Sequence, residues 1–145
     1  LRFALEASEK LKNIGYEADV WSVTSFNELA RGGMASERQK NYNFAEKTQS
    51  HVENCFSKEM PTVAVSEYLK SYSEQIRQWV NGKYICLGTD GYGRSDTREN
   101  LRDFFEINSD FIVYNSLLAS ENKKEAEKYA KQNKIKFSTI HPWKK

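Results

Sequence analysis

Hydrophobic and polar residues alternate along this chain, first at helical spacing and then at strand spacing. In the opening twelve residues, Leu1, Ala4, Leu5 and Leu11 share one helical face, while acidic and lysine side chains lie opposite. Gly15 follows, and glycine is the residue that most often lies just beyond a helix end. The pattern therefore predicts an amphipathic helix that is already in progress at the first residue.

Three short segments rich in β-branched and aromatic residues predict strands. The first alternates apolar and polar positions. The second follows Pro61, which loses no ladder hydrogen bond when it precedes a strand. The predicted strands are Ala18 to Val23, Thr62 to Ser66 and Tyr84 to Leu87.

Helical periodicity and capping signals mark the chain between and after these strands. Ser25 and Glu28 have the spacing of a capping box, and Asn108 begins a run of caps further on. Residues 38–57 are polar and aperiodic, with one short helix predicted among them. The predicted helices cover Phe26 to Arg31 with a continuation towards Tyr42, Thr48 to Phe56, Tyr68 to Val80, Thr97 to Phe105, Phe111 to Leu118 and Lys123 to Lys134.

Strands that alternate with helices build right-handed crossovers and a mostly parallel sheet. We therefore expect an α/β fold over residues 1–145 as a single domain, a three-layer sandwich with a mostly parallel (mixed) central sheet. No strand precedes the first helix, so we expect the sheet to lack its first strand. Either an N-terminal strand is missing or a neighbouring domain covers the edge. The chain opens on Leu1 instead of Met, which indicates a fragment, a processed form or a renumbered sequence.

The charge balance narrows the choice of partners. The chain has 22 basic and 20 acidic residues and a net charge of +2, which is too balanced for a nucleic-acid or membrane surface. No apolar run approaches the roughly 18 residues that a membrane span requires. Cys55 and Cys86 lack metal-binding spacing and suit free thiols in a reducing compartment. We expect a cytoplasmic protein that binds neither nucleic acid nor membrane.

The segment from Gly88 to Arg98 carries the densest candidate chemistry. It connects the third predicted strand to a helix, so it lies at the carboxyl edge of the sheet, where ligands and partner domains bind. Its glycines are spaced G-x-x-G-x-G, which matches neither the dinucleotide fingerprint nor the P-loop. One interpretation is a structural turn or interface, in which Ser95 or Asp96 caps the helix and Glu99 completes a capping box.

Direct ligand contact is the other interpretation of this loop. Arg94 and Arg98 could hold a carboxylate or a phosphate. They could equally pair with Asp90, Asp96 or Asp103. The candidate interface or effector residues are Asp90, Tyr92, Arg94, Ser95, Asp96 and Arg98.

No catalytic constellation stands out in the sequence. His51 and His141 are not spaced with a nucleophile or a second ligand, and a zinc site would need three or four clustered ligands. No G-x-S-x-G nucleophile elbow occurs. We therefore assign no catalytic, cofactor-binding or metal-binding residue to this chain.

Four segments together form a recognisable series: Ala18 to Leu29, Val63 to Tyr68, Gln75 to Val80 and Leu87 to Asn100. This series resembles the C-terminal domain of the homodimeric bacterial pyruvate dehydrogenases, which belong to the transketolase-like superfamily. The resemblance covers roughly Leu1 to Ser120, and the block from Gly88 to Arg98 is close to a signature of that type.

The resemblance implies a function for the longer protein. Intact enzymes of this family decarboxylate pyruvate on thiamin diphosphate with Mg²⁺ and pass the acetyl unit to a lipoyl group of the acetyltransferase component. Their cofactor and proton-transfer residues lie in two other domains, so we expect no cofactor in this chain. Thr89-Asp90-Gly91 lacks the Gly-Asp-Gly and Asn-Asn pattern of the family's metal motif.

By the same resemblance, this domain would serve assembly, and its loop would be a candidate effector site. Its partners would be the other domains of the polypeptide, the second subunit of a homodimer and the acetyltransferase component. A second hypothesis, from a different class, is a free-standing α/β module that binds small anions with the loop from Gly88 to Ser95.

Overall fold

The computed structural model describes residues 1–43 and 48–144. Residues 44–47, which belong to the polar stretch 38–57, and Lys145 lie outside the described residues. The helices are α1 (Arg2–Asn13), α2 (Phe26–Asn43), α3 (His51–Cys55), α4 (Lys70–Glu74), α5 (Arg98–Phe104), α6 (Ser109–Ala119) and α7 (Lys123–Gln132). The strands are β1 (Thr62–Val65) and β2 (Tyr84–Leu87), and short 3₁₀ helices cover Arg77–Trp79 and Pro142–Lys144.

The two strands pair in parallel. Thr62 lies opposite Tyr84, and Val65 lies opposite Leu87. α4 lies in the connection between them, because parallel neighbours need a crossover instead of a tight turn. The second and third predicted strands are confirmed, and the fold is of the α/β class.

Helices cover both faces of this sheet, and each face has its own hydrophobic cluster. Val63, Val65 and Ile85 pack against one cluster, whereas Ala64 and Cys86 contribute to the other, as the alternation of side chains along a strand requires. The first cluster is built mainly by α1, α6 and α7, and the second by α2, α3 and residues 76–80. The layers are helix, sheet and helix, as the sequence predicts.

The segment from Ala18 to Val23 is not a strand, so that prediction was wrong. It has no strand partner among residues 1–43 and 48–144, and most of it is exposed. A strand exists only through hydrogen bonds to a neighbour, which alternating β-formers cannot supply alone. The segment is held instead by a 3.0 Å hydrogen bond from the Ser8 hydroxyl to the Ala18 carbonyl and by packing of Trp21 on Phe56.

The predicted helix from Tyr68 to Val80 is broken into α4 and a 3₁₀ helix. Tyr68 lies in a turn, where its N–H donates to the Ser66 hydroxyl and its carbonyl accepts the Thr89 N–H, both at 3.0 Å. The second bond uses the Tyr68 carbonyl, which a helix starting at Tyr68 would need for the N–H four residues later. α4 therefore begins only at Lys70, two residues beyond the predicted start.

Local capping signals predict several helix ends correctly. α2 starts after Ser25, whose hydroxyl accepts the Glu28 N–H at 3.2 Å, and it continues past its two glycines. Asn108 caps α6 by accepting two N–H groups of the first turn. α3 lies within the predicted helix from Thr48 to Phe56, and the structure adds a complete capping box between Ser50 and Glu53 that was not predicted. A side-chain cap accepts an otherwise unsatisfied N–H only two or three residues further along the chain. Because both partners are close in sequence, the signal can be read locally.

One polar cluster ties the helices of the first layer together. The Asp110 carboxylate accepts hydrogen bonds from the Lys10 ammonium and from the Tyr129 hydroxyl, both at 2.7 Å. Burial and this carboxylate together raise the pKa of Tyr129. The cluster joins α1, α6 and α7 at one point and orients α1 against the sheet.

Candidate functional site

The loop that leaves β2 is docked on the turn that leaves β1. The Thr89 N–H donates to the Tyr68 carbonyl at 3.0 Å, and the Asp90 carboxylate accepts the Lys70 N–H at 2.9 Å. Gly88 is needed for this approach, because a Cβ there would lie 2.6 Å from the Tyr68 carbonyl oxygen. Asp90, a predicted site residue, is therefore engaged in holding the backbone.

The outer part of the loop is open. Residues 91–100 are all exposed, and the Tyr92 side chain is 87% exposed. Gly91 has a φ of 129°, and a Cβ there would lie 3.1 Å from the Trp143 Cα. The C-terminal segment therefore lies against the loop, a contact that no feature of the sequence predicts.

The start of α5 is capped by Thr97 and not by Ser95 or Asp96. The Thr97 hydroxyl accepts the Asn100 N–H at 3.2 Å. Asp96 instead accepts the Thr97 N–H at 2.7 Å and the Asn100 side-chain amide at 2.8 Å. These two bonds, the amide of Asn100 first, lower the pKa of Asp96. The predicted cap is wrong by two residues for Ser95 and by one for Asp96, because Thr97 is the residue whose hydroxyl reaches the first turn.

The two arginines of the loop do not form the ion pairs that the sequence allows. Arg94 lies over the Phe104 ring at 4.2 Å from its centroid, which is cation–π geometry. No salt bridge joins Arg94 or Arg98 to a carboxylate within the described part of the chain. The Asp103 carboxylate accepts the Asn108 side-chain amide at 3.0 Å.

The predicted site residues thus fall into two groups. Asp90 faces the turn after β1 and is bonded to it. The other five lie on the exposed side: Tyr92, Arg94, Ser95, Asp96 and Arg98. Sequence reasoning missed two participants, Glu67 and Arg102, whose ion pair joins the turn after β1 to α5. Their separation along the chain leaves no local signal.

The residues of this loop do not fit Mg²⁺. A Mg²⁺ site needs several oxygen ligands in octahedral geometry, whereas Asp90 is the one carboxylate on the inner side of the loop and already accepts the Lys70 N–H with one of its oxygens. No group of three or more His, Cys, Asp or Glu side chains that could hold a metal occurs in residues 1–43 and 48–144. His141 is stacked on Trp143 with ring centroids 4.1 Å apart. No step of thiamin chemistry is assigned to these residues.

A second group of titratable side chains lies beneath β2 and is structural. Glu74 pairs with Arg77, and the Arg77 side chain lowers the pKa of Glu74. Burial raises the pKa of the Cys86 thiol beside them. Arg77 also donates to the Tyr84 carbonyl at 2.7 Å, and the Tyr84 hydroxyl donates to the Ser73 carbonyl at 2.9 Å. These bonds fasten the crossover to the sheet.

The fold and loop define an α/β domain with a docked glycine loop at the carboxyl edge of a parallel sheet. Residues 1–108 match the family described as the Transketolase-like TK C-terminal domain, and the chain belongs to this family. None of the helices in the described ranges is long and apolar enough to cross a membrane.

The similar proteins are pyruvate dehydrogenase E1 components, in agreement with the resemblance read from the sequence. That of Pseudomonas aeruginosa is 47% identical over 131 residues, which cover 88% of this chain and 15% of the relative. That of Escherichia coli is 41% identical over 130 residues, with the same coverage. That of Buchnera aphidicola from Acyrthosiphon pisum is 41% identical over 138 residues, or 93% of this chain. The chain thus spans about 15% of the length of these curated relatives.

Proposed function

We propose that this chain is the C-terminal domain of a bacterial pyruvate dehydrogenase E1 component and is itself non-catalytic. The observation that carries the proposal is the 47% identity to the Pseudomonas aeruginosa protein over 88% of the chain, together with the family match over residues 1–108. The whole protein would decarboxylate pyruvate on thiamin diphosphate with Mg²⁺ and acetylate the lipoyl group of the acetyltransferase component. Both cofactors would be held by other domains, in the cytoplasm.

The exposed side of the loop supports a role in assembly. Tyr92, Arg94 and Arg98 project from a segment whose inner side is pinned by Asp90 and Thr89. An exposed loop that presents tyrosine and arginine has residue types that interface cores favour. We assign this surface to contact with another domain of the polypeptide or with the second subunit of a homodimer, with an effector site as the secondary role.

The loop geometry gives less support to a free-standing anion-binding module. The Asp96 carboxylate already accepts the N–H of Thr97 at the start of α5, where an anion would bind. Arg94 is directed over the Phe104 ring. The chain alone should therefore gain no thermal stability from phosphate or acetate.

The test is a chimera. The matched region of the Escherichia coli pyruvate dehydrogenase E1 component is replaced by this chain, and pyruvate decarboxylation is measured with thiamin diphosphate and Mg²⁺. We expect the chimera to be active and the Escherichia coli protein truncated before this region to be inactive. The isolated chain should release no heat of binding when titrated with the same cofactors. A folded but inactive chimera, or micromolar cofactor binding by the isolated chain, would contradict the proposal.

The assembly role has its own variant. In the chimera, Tyr92→Glu should lower the melting temperature or weaken dimerisation, because it places a charge in a contact. Lys124→Glu on the exposed face of α7 is the matched control and should change neither. Equal effects of the two substitutions would contradict the assignment of the loop to an interface.

A further inference from the structure

The segment that leads into β2 carries the one Asn-Gly pair of the sequence, Asn81-Gly82. It lies between the 3₁₀ helix that ends at Trp79 and the strand that begins at Tyr84, and both residues are exposed. An asparagine can react with its own chain when the backbone nitrogen of the next residue reaches the carbon of the side-chain amide. The structure of this segment decides whether that approach is open at Asn81.

Glycine is required by the fold at position 82. The φ of Gly82 is 90°, which residues with a Cβ rarely adopt. A Cβ there would lie 2.7 Å from the Met60 carbonyl oxygen and 2.9 Å from the Met60 nitrogen, which are both backbone atoms. The packing against Met60 therefore excludes any side chain that could shield the Gly82 nitrogen from Asn81.

The Gly82 nitrogen would be the nucleophile, and its N–H is unpaired. In residues 1–43 and 48–144, no backbone or side-chain group accepts a hydrogen bond from this N–H. An exposed amide without an acceptor can lose its proton to hydroxide, whereas the amides of helices and strands are protected. The backbone at Gly82 is thus open to deprotonation by solvent.

The Asn81 side chain would be the electrophile, and one exposed hydrogen bond holds it. Its amide nitrogen donates to the Ser57 carbonyl at 3.1 Å. A hydrogen bond exposed to water contributes little net stability, so it opens readily. The side chain can then rotate until its carbonyl carbon meets the Gly82 nitrogen.

Asn115 shows how the fold protects another asparagine that precedes a small residue. It lies inside α6, so the nitrogen of Ser116 belongs to the helical backbone. The Asn115 side-chain amide donates to the Phe111 carbonyl at 2.8 Å. Because the helix fixes the backbone dihedrals, the nitrogen of Ser116 cannot approach the side-chain carbon. Asn115 is therefore an internal control for Asn81.

We propose that Asn81 is a site of spontaneous deamidation, with aspartate and isoaspartate as its products. The deprotonated Gly82 nitrogen forms a bond to the side-chain carbonyl carbon of Asn81. The bond from that carbon to the amide nitrogen breaks, and the nitrogen takes up a proton and leaves as ammonia. A water molecule then opens the cyclic imide at either of its carbonyl groups. Opening at one carbonyl gives aspartate, and opening at the other gives isoaspartate, whose backbone runs through the former side chain.

The two products differ in their effect on the start of β2. Aspartate loses the hydrogen bond to Ser57, because a carboxylate has no N–H to donate. Isoaspartate in addition lengthens the backbone by a methylene group directly before Gly82, which packs against Met60. The nearest strand pairing is the 2.8 Å bond from the Thr62 N–H to the Lys83 carbonyl. Isoaspartate should therefore weaken that pairing more than aspartate does.

The test is peptide mapping by mass spectrometry of the chain, incubated in mildly alkaline buffer under native conditions. A synthetic peptide of residues 78–86 is incubated alongside as the reference. We expect Asn81 in the folded chain to gain the mass of an amide-to-acid conversion at a rate within about tenfold of the peptide, because its amide is unprotected. In water enriched in heavy oxygen the product should carry the label, and Asn115 should stay unconverted.

Asn81→Gln is the matched control variant, because its longer side chain would have to close a larger ring, which forms more slowly. This variant should show no conversion at position 81. Persistence of Asn81 in the folded chain after the reference peptide has converted would overturn the proposal. Conversion of Asn115 at the same rate as Asn81 would also overturn it, since the reaction would then take place in the unfolded chain.

Amide hydrogen exchange measures the structural effect. The isoaspartate form is isolated from the aged chain by ion exchange and recognised by its methylation with a protein isoaspartyl methyltransferase, and Asn81→Asp represents the aspartate form. The Thr62 amide should exchange about tenfold faster in the isoaspartate form than in Asn81→Asp. The Ser66 amide, bonded to the Leu87 carbonyl at the far end of the strand pair, should be unchanged. Equal exchange of Thr62 in the two forms would contradict the effect on strand pairing.

Discussion

Replacing Gly88 by alanine should undock the glycine loop from the turn that follows β1. The added Cβ would lie 2.6 Å from the Tyr68 carbonyl oxygen and 2.8 Å from the Lys70 nitrogen. Both are backbone atoms, which cannot rotate away as a flexible side chain would. The loop and the turn must therefore separate by several tenths of an ångström or more.

The cost follows from the hydrogen bonds at this contact. The bond from the Thr89 N–H to the Tyr68 carbonyl contributes about 1 kcal/mol, and the bond from the Lys70 N–H to the Asp90 carboxylate contributes about 1.5–3 kcal/mol. Loss of both predicts that Gly88→Ala lowers the free energy of unfolding by about 2–4 kcal/mol. If one of the two hydrogen bonds survives the displacement, the loss in free energy of unfolding is correspondingly smaller.

The free energy of unfolding is measured by urea titration of the wild-type chain, Gly88→Ala and Gly93→Ala. A Cβ at Gly93 meets nothing within 4 Å, so that control should be neutral or slightly more stable, by about 0.4–1 kcal/mol. Asp90→Ala combined with Gly88→Ala should cost less than the sum of the two, because both remove the same bond. A loss below about 0.5 kcal/mol for Gly88→Ala, the range of ordinary surface changes, would refute the docking argument.

Three further predictions concern groups away from the loop. Lys40 and the capping box of α3 lower the pKa of Glu53 from its ordinary 4.5. Glu53→Gln should therefore lower the free energy of unfolding by about 1 kcal/mol at neutral pH. This difference disappears as the pH falls below 4.5 and through the lower pKa that Glu53 has in the folded protein. A pH-independent difference in urea titrations would contradict this. Tyr129→Phe should cost about 1.5 kcal/mol in unfolding experiments, because it removes the bond to Asp110; a neutral result would show that the bond is dispensable. Cys86, buried and with a raised pKa, should react with iodoacetamide only after unfolding, and mass spectrometry of the native protein would reveal any exception.

Most of the helices, and the strands β1 and β2, could be predicted because their signals are local. Caps such as Asn108 act within one helical turn, so the sequence carries the whole of the information. The segment from Ala18 to Val23 has equally good strand propensity, yet a strand forms only with a hydrogen-bonded partner, and none pairs with it in the described ranges 1–43 and 48–144. The late start of α4 at Lys70 could not be predicted for a related reason. The hydrogen bonds that hold residues 68–70 in place come from Thr89 and Asp90, which are about 20 positions away along the chain.

The location of the candidate site could be predicted from the sequence, but the contacts that each of its side chains makes could not. A glycine-rich loop after a buried strand indicates the carboxyl edge of a sheet wherever it occurs. That Asp90 holds a backbone N–H while Arg94 covers an aromatic ring depends on residues some 10 to 20 positions away. Only the folded chain brings these groups together, so the acidic and basic side chains of the sequence left both pairing and ligand binding open.

The close approach of Trp143 to Gly91 has a practical consequence for anyone who handles this protein. The C-terminal segment lies on the glycine loop, next to its exposed residues. An affinity tag at the C-terminus would therefore crowd the surface proposed for assembly. The exposed lysines of α7 offer a cleaner point of attachment for surface immobilisation or dye labelling.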